Sequence, residues 1–224
     1  RVWNLGYEQQ MQTGLSWRMG YLERRGDREF VLEPVPTSRG ADLVLSSRGR
    51  SRYRELEVTA NYTLSDTLSV TAAYTRSAAD GDLNAYSSFF GVLRAPVVPA
   101  DYAGALDVDV PHRAVARVRY APNDRWLIAP VIEFRSGVPY SPVDEFLDVV
   151  PDRGRPRFPD VTMVDLRVDR LIRILKWTPW VGVRIYNALN AFDPSDVQRN
   201  LTSPDYGSFF GGRPRQVRLQ MRFN

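Results

Sequence analysis

The chain contains no cysteine, and His112 is its one histidine. Disulfides, thiolate metal sites and cysteine nucleophiles are excluded together, and a lone imidazole leaves neither a base to activate a nucleophile nor a metal cluster. Lysine is almost missing as well: Lys176 stands alone among 30 Lys+Arg, so the positive charge is nearly all guanidinium. Nor does any run approach the ~20 apolar residues that a spanning helix needs, although 43% of the 224 residues are hydrophobic. The formal charge is +4, and its arginines are spread among carboxylates. A nucleic-acid footprint would cluster, so nucleic acid is not an expected partner.

What the sequence has in abundance is two-residue alternation. From Arg215 to Phe223, Val217, Leu219, Met221 and Phe223 point one way while Gln216, Arg218, Gln220 and Arg222 point the other, which is a strand with one apolar and one charged face. The pattern recurs. Strands are expected over about 2–11 and 15–23, joined by Gln12, Thr13 and Gly14; over about 52–64 and 68–75, joined by Ser65, Asp66 and Thr67; and over about 113–120 and 126–135, joined by Pro122, Asn123 and Asp124. Two more run over about 164–169 and 177–185, turning near Arg173 to Lys176, before the last. Pro130 marks a bulge or an edge in its strand. Long connections are expected over about 24–52, 76–111, 137–160 and 187–214. Short turns at one end and long loops at the other are the mark of a membrane-spanning up-and-down barrel.

About nine strands result, each near the ~9 to 11 residues that cross a bilayer at a tilt. Nine strands left open in lipid would expose unpaired backbone edges. Arg1 carries neither initiator Met nor signal peptide, so the expectation is the C-terminal part, residues 1–224, of a larger barrel. If the apolar face meets lipid, Glu55, Glu57, Arg113, Arg117, Arg119, Glu133, Arg135, Asp165, Arg167, Asp169, Arg184, Arg218 and Arg222 line the lumen. The opposite parity would put them in hydrocarbon, at roughly 2–4 kcal/mol for each midplane arginine. The same parity gathers Trp17, Tyr62, Tyr120, Trp126, Trp177 and Phe223 beside the short turns as an aromatic girdle. A soluble β-sandwich binding module, with the apolar set as its core, is the alternative that alternation alone leaves open.

Three stretches carry a resemblance. They are Tyr186-Asn187-Ala188-Leu189-Asn190, then Ser203-Pro204-Asp205-Tyr206-Gly207, then Arg213 through Phe223. Together they resemble the end of TonB-dependent outer-membrane receptors, above all those with a carboxypeptidase-regulatory-like domain near the N-terminus. Arg48 to Glu57, Arg135-Ser136-Gly137-Val138-Pro139-Tyr140 and Phe158-Pro159-Asp160 are similar to recurring strand starts of that family, so the likeness spans most of the chain. It implies an all-β, antiparallel, 22-stranded transmembrane barrel in the outer membrane of a Gram-negative bacterium. It also implies a plug domain inside that barrel and import of a scarce solute driven by the TonB complex. The plug, the TonB-contacting segment and the first half of the barrel are absent from these residues. Family members usually end on an aromatic read by the barrel-assembly machinery, whereas here Asn224 follows Phe223.

Without a catalytic constellation the chain is expected to be no enzyme and to hold no cofactor or metal; the resemblance implies outer-membrane lipid, its own plug, TonB and the assembly machinery as partners. Loop aromatics are the candidate ligand contacts: Tyr86, Phe89, Phe90 and Tyr102 in one loop, Tyr140 and Phe146 in the next, Tyr206, Phe209 and Phe210 in the last. Each could instead pack loop on loop. Gly207, Gly211 and Gly212 are expected to leave the last loop free to move. Asp165 and Asp169 flank Arg167 on one face, a charge ladder more than a paired-carboxylate site. A passive porin or surface-adhesion barrel is the other membrane reading.

Overall fold

A computed structural model describes residues 1–11, 14–38, 40–83, 103–146, 149–150 and 153–223. Every regular element among them is a strand: β1 (Val2–Gln10), β2 (Leu15–Thr37), β3 (Gly40–Ser65), β4 (Leu68–Gly81), β5 (Gly104–Ala105), β6 (His112–Tyr120), β7 (Trp126–Arg135), β8 (Val161–Leu171), β9 (Trp180–Tyr186), β10 (Asp196–Val197), β11 (Phe209–Phe210) and β12 (Gln216–Arg222). One antiparallel sheet runs β1-β2-β3-β4-β6-β7-β8-β9-β12, with β5 paired on β4, and β10 pairs β11 separately. The nine strands on that path are those the alternation predicts. Each pairs with the next in sequence, the up-and-down order, apart from the short pieces inserted in the long connections.

The register makes the two faces continuous. Trp17, Ala60, Ala72, Ala116, Ile132 and Val164 lie opposite one another across six strands. The next row holds Met19, Val58, Tyr74, Ala114 and Phe134. Since cross-strand partners share a face, these rows make one apolar surface, and Pro130 sits within it opposite Leu166. Among the described residues no second layer covers it. Leu5 is 75% exposed and Leu219 80%. The buried apolar side chains are elsewhere: Val31, Ala79, Tyr140, Val143, Val149, Val161 and Val197 all lie at the end of the sheet where the long connections gather. A soluble sandwich would bury the rows themselves. An apolar sheet face this wide with no protein over it is a surface for lipid.

Two expectations about connections are corrected. Residues 24–52 are no loop. The strands β2 and β3 continue through them as one hairpin, paired out to Thr37 and Gly40 and interrupted by register shifts between Asp27 and Val31, where Arg28 has φ 60. Its far half, 13 residues of β2, rises about 40 Å beyond Arg24 at ~3.3 Å per residue. Alternation fails there because neither side of the hairpin meets lipid. Pro34 and Pro36 looked like breakers. However, β1 pairs β2 only as far as Arg24, so prolines two apart can both turn their missing donors to a free edge. The second correction is smaller: the strand expected from about 177 begins at Trp180, because Ile174 and Trp177 pair across a turn in which Leu175 takes φ 54.

Candidate functional site

The predicted lumen charges fall on a single face. Glu57, Thr75, Arg113 and Arg135 are successive partners across β3, β4, β6 and β7. Thr71, Arg117, Val131 and Asp165 form another row. In the register, Arg119, Glu55, Glu133, Asp169 and Arg222 keep the same parity as these rows. Most negative groups are matched. Arg18 donates to Glu57 at 2.7 Å, and Arg113 Nε to Glu133 at 3.0 Å. The carboxylate of Asp169, 1% exposed, accepts from Arg167 Nε at 2.8 Å and from Gln220 Nε2 at 3.2 Å. Gly182 lies opposite it, and a Cβ there would come within 2.0 Å of Asp169 Oδ1.

Positive charge is left over. Arg167, Arg184 and Arg218 stand directly opposite one another on β8, β9 and β12. Like charges in that relation repel, and Asp169 answers one of them. Arg218 lies over the Tyr186 ring at 5.1 Å, while Arg184 Nε is buried without a hydrogen-bond partner among the described residues. Arg117 and Arg119 are exposed and make no ion pair among the described residues. The face therefore presents unneutralised guanidinium donors to whatever occupies the space before it.

At the long-connection end, the loops are tied together by contacts the sequence did not advertise. Tyr140, Phe158 and Phe209 form an aromatic cluster, with Tyr140–Phe158 centroids 5.8 Å and Phe158–Phe209 centroids 5.2 Å apart. Burial pushes the Tyr140 phenol above its ordinary pKa, and the neighbouring Tyr206 hydroxyl adds to this. Of the candidate ligand aromatics, Tyr140, Tyr206 and Phe209 are thus brought together as loop packing. Phe146 at 76% and Phe210 at 50% remain exposed and apart from that cluster. Tyr86, Phe89, Phe90 and Tyr102 lie outside the described residues.

Backbone links extend the tie. Val143 N donates to Arg199 O at 3.0 Å and Leu201 N to Val143 O at 2.9 Å. Arg157 pairs with the buried Asp109 and also reaches Gly137 O at 3.1 Å, while Asp109 Oδ1 accepts from Ala79 N at 2.7 Å. Arg135 pairs with Asp193. Burial lowers the Arg153 guanidinium from its ordinary value, with Asp107 and Asp82 opposing. In the last loop a Cβ on Gly211 would strike Ser195 Oγ at 2.1 Å and Gly212 has φ 108, whereas a Cβ on Gly207 would meet nothing within 4 Å. The girdle set lies on the apolar face or in its turns, Trp177 meeting Phe223 edge-on at 6.0 Å and Arg170 lying over Trp126 at 4.9 Å. No group of His, Asp and Glu suited to a metal ion occurs among the described residues.

No family model matches the chain, and no curated protein does. Solved structures do. The siderophore receptor PiuA from Acinetobacter baumannii aligns over 99% of this chain and 28% of its own, with TM-score 0.64 at 13% identity. The outer membrane transporter YddB from Escherichia coli aligns over 98% and 32%, with TM-score 0.67 at 8% identity. The ferric-catecholate import receptor Fiu from E. coli K12, in its closed form, aligns over 98% and 26%, with TM-score 0.62 at 14% identity. The chain spans less than a third of each of those proteins. It has the fold of part of the barrel wall of outer-membrane receptors.

Proposed function

We propose that the chain is the C-terminal part of an outer-membrane, TonB-dependent receptor, forming barrel wall and outer loops for energy-coupled uptake of a scarce solute. The observation that carries this reading is the uncovered apolar face backed by an ionic one across the whole sheet. The solved structures of like fold support it, since they are described as a siderophore receptor, a ferric-catecholate import receptor and an outer membrane transporter. The unneutralised arginines are the site for the plug: Arg117, Arg119, Arg184 and Arg218 offer donors to acidic or carbonyl groups inside the bore. Long connections face the exterior, and the short turns, with Trp17, Tyr62, Tyr120, Trp126, Trp177 and Phe223, face the periplasm. TonB acts through segments upstream, and the closing motifs favour a receptor with a carboxypeptidase-regulatory-like domain.

The test is the double substitution Arg117→Ala and Arg119→Ala in the full receptor. Neither residue has an ion-pair partner to orphan among the described residues. Loss of plug retention admits large antibiotics across the outer membrane, read as increased sensitivity. Unchanged sensitivity with normal barrel levels overturns the assignment of these arginines to the plug. A passive porin predicts constitutive conductance in planar bilayers and no dependence of uptake on the proton gradient.

A further inference from the structure

Parity assigns a second, separate set of arginines to the opposite side of the wall. On the apolar face the rows run upward from Trp17 and Ala60, through Met19 and Val58, to Tyr21 opposite Leu56. Counting from Leu64 to Leu56, the apolar stretch of β3 is about 27 Å along the strand at ~3.4 Å per residue. At a tilt near 40° that stands about 21 Å tall, close to the ~25 Å band of outer-membrane barrels. Directly above it, on the same face, the chemistry changes. Arg25 lies opposite Arg52, Glu23 opposite Arg54, and Arg76 opposite both Leu56 and His112.

These groups are contiguous. Arg54 is partnered by Ala78 in β4, so Arg76 is its diagonal neighbour, within reach of long side chains. Glu23 accepts from Arg25 Nε at 2.7 Å, from the Arg52 guanidinium at 2.9 Å and from the Tyr21 hydroxyl at 3.1 Å. Asp80, opposite Arg52, and Asp27, opposite Arg50, are the other acids in these rows. Counting Arg50, five guanidiniums thus meet three carboxylates. Arg54 is exposed and makes no hydrogen bond or ion pair among the described residues, and Arg76 bonds only to His112 Nε2, whose Nδ1 bonds to the Tyr74 hydroxyl at 2.7 Å. On β7 the next outward position beyond Phe134 is Ser136, and Thr162 of β8 lies opposite Phe134 itself. The basic patch is therefore local to β2, β3, β4 and β6.

We propose that this patch, Arg25, Arg52, Arg54 and Arg76 on the outward face just above the apolar band, binds the phosphate groups of lipid headgroups in the outer leaflet. The proposal rests on the membrane reading given above. An outward side chain at this height has headgroups as neighbours, and the planar guanidinium fork matches a phosphate's oxygens in pairs. Glu23 already bridges Arg25 and Arg52, so Arg54 and Arg76, which pair with no carboxylate among the described residues, carry the free donors of the patch.

The test uses the complete barrel protein in detergent micelles, titrated with phosphatidic acid and followed by native mass spectrometry. Arg54→Gln with Arg76→Gln weakens retention of phosphatidic acid by roughly thirty-fold, from two arginine–headgroup contacts. Arg117→Gln with Arg119→Gln, an equal loss of charge on the opposite face, leaves it unchanged. Equal retention by both double variants overturns the proposal. So does displacement of the bound lipid by millimolar inorganic phosphate, which would make the site one for free anion. A protein that stays monodisperse without detergent and does not float with vesicles overturns the membrane reading itself, whatever the variants do.

Discussion

Replacing Asn187 by Ala should unfasten the last loop, and the cost can be worked from the structure. Asn187 is 2% exposed and follows β9 with φ 51. Its Nδ2 donates to Ala191 O at 2.9 Å and to Arg213 O at 3.1 Å, and its Oδ1 accepts from Ala191 N at 2.8 Å. One side chain therefore holds both ends of the 187–214 connection. Three hydrogen bonds at about 1 kcal/mol each give about 3 kcal/mol. Alanine in a left-handed conformation adds about 1 kcal/mol, since its Cβ crowds the carbonyl where asparagine is tolerated. Asn187→Ala should thus destabilise by about 4 kcal/mol and Asn187→Gly by about 3 kcal/mol, the glycine escaping the backbone term. Reversible urea unfolding of the vesicle-embedded barrel, followed by tryptophan fluorescence, measures both. Limited proteolysis should show new cleavage within 191–214 in each variant. A change under about 0.5 kcal/mol for the alanine variant, or alanine more stable than glycine, would refute the reasoning.

Four further outcomes are expected. Ala72→Arg, on the apolar face opposite Ala60 and Ala116, should cost roughly 2–4 kcal/mol, while Ala73→Arg on the other face should stay within about 0.5 kcal/mol; equal costs in the same urea assay would contradict the assignment of faces. Arg167→Ala strips the buried Asp169 of its charged partner, so a loss of about 3 kcal/mol is expected, much of it restored by Asp169→Asn in the double variant. Gly137→Ala places a Cβ within 1.6 Å of Phe158 O; altered near-ultraviolet circular dichroism from the Tyr140–Phe158–Phe209 cluster would register the displaced loop. Finally, the Arg48 guanidinium holds the Glu33 carboxyl below its ordinary pKa at the top of the β2–β3 hairpin. A depressed folded value means stability that is present above the unfolded pKa and lost as pH falls through the folded one, so amide protection factors in the β2–β3 hairpin around Glu33, corrected for the intrinsic pH dependence of exchange, should fall below about pH 4 and should not do so in Glu33→Gln.

How far the sequence could be read follows from where lipid is. Between the short turns and Leu56, each strand must turn one side to hydrocarbon and the other to ions, so the period of two is imposed at every position and the shared face of Trp17, Ala60 and Ala72 was legible in advance, though not their register. Beyond Arg24 and Arg52 both sides of the hairpin meet water, the constraint lapses, and 24–52 looked like a loop although it pairs nearly to its tip. The candidate site divides in the same way. The arginines of one face were legible from parity, because Arg167, Arg184 and Arg218 each sit between apolar neighbours. The loop ties were not. Arg157 with Asp109 and Tyr140 with Phe158 join residues from separate connections or distant parts of one, and no local pattern marks such pairs. Asn187 carried a readable signal, an asparagine right after a strand at a position that needs φ above zero.

The wall and the loops are held together in different ways. A wall whose apolar side has no protein cover gains nothing from rearranging, because every strand pair already satisfies its backbone. The loops differ: Val143 is bound into the last connection and Asp109 into the third, so 104–111, 137–146 and 195–210 form one tied assembly among the described residues. Motion of any one of these segments alone breaks the Val143–Arg199 and Val143–Leu201 bonds or the Arg157–Asp109 pair, at about 1 kcal/mol or more for each. Displacing one of these segments alone therefore costs more than displacing them together, and Cβ atoms at 211 and 212 would approach Ser195 and Asp193 closely. With Tyr140, Phe158 and Phe209 already packed on one another, Phe146 and Phe210 are the candidate ligand aromatics that stay most exposed among the described residues.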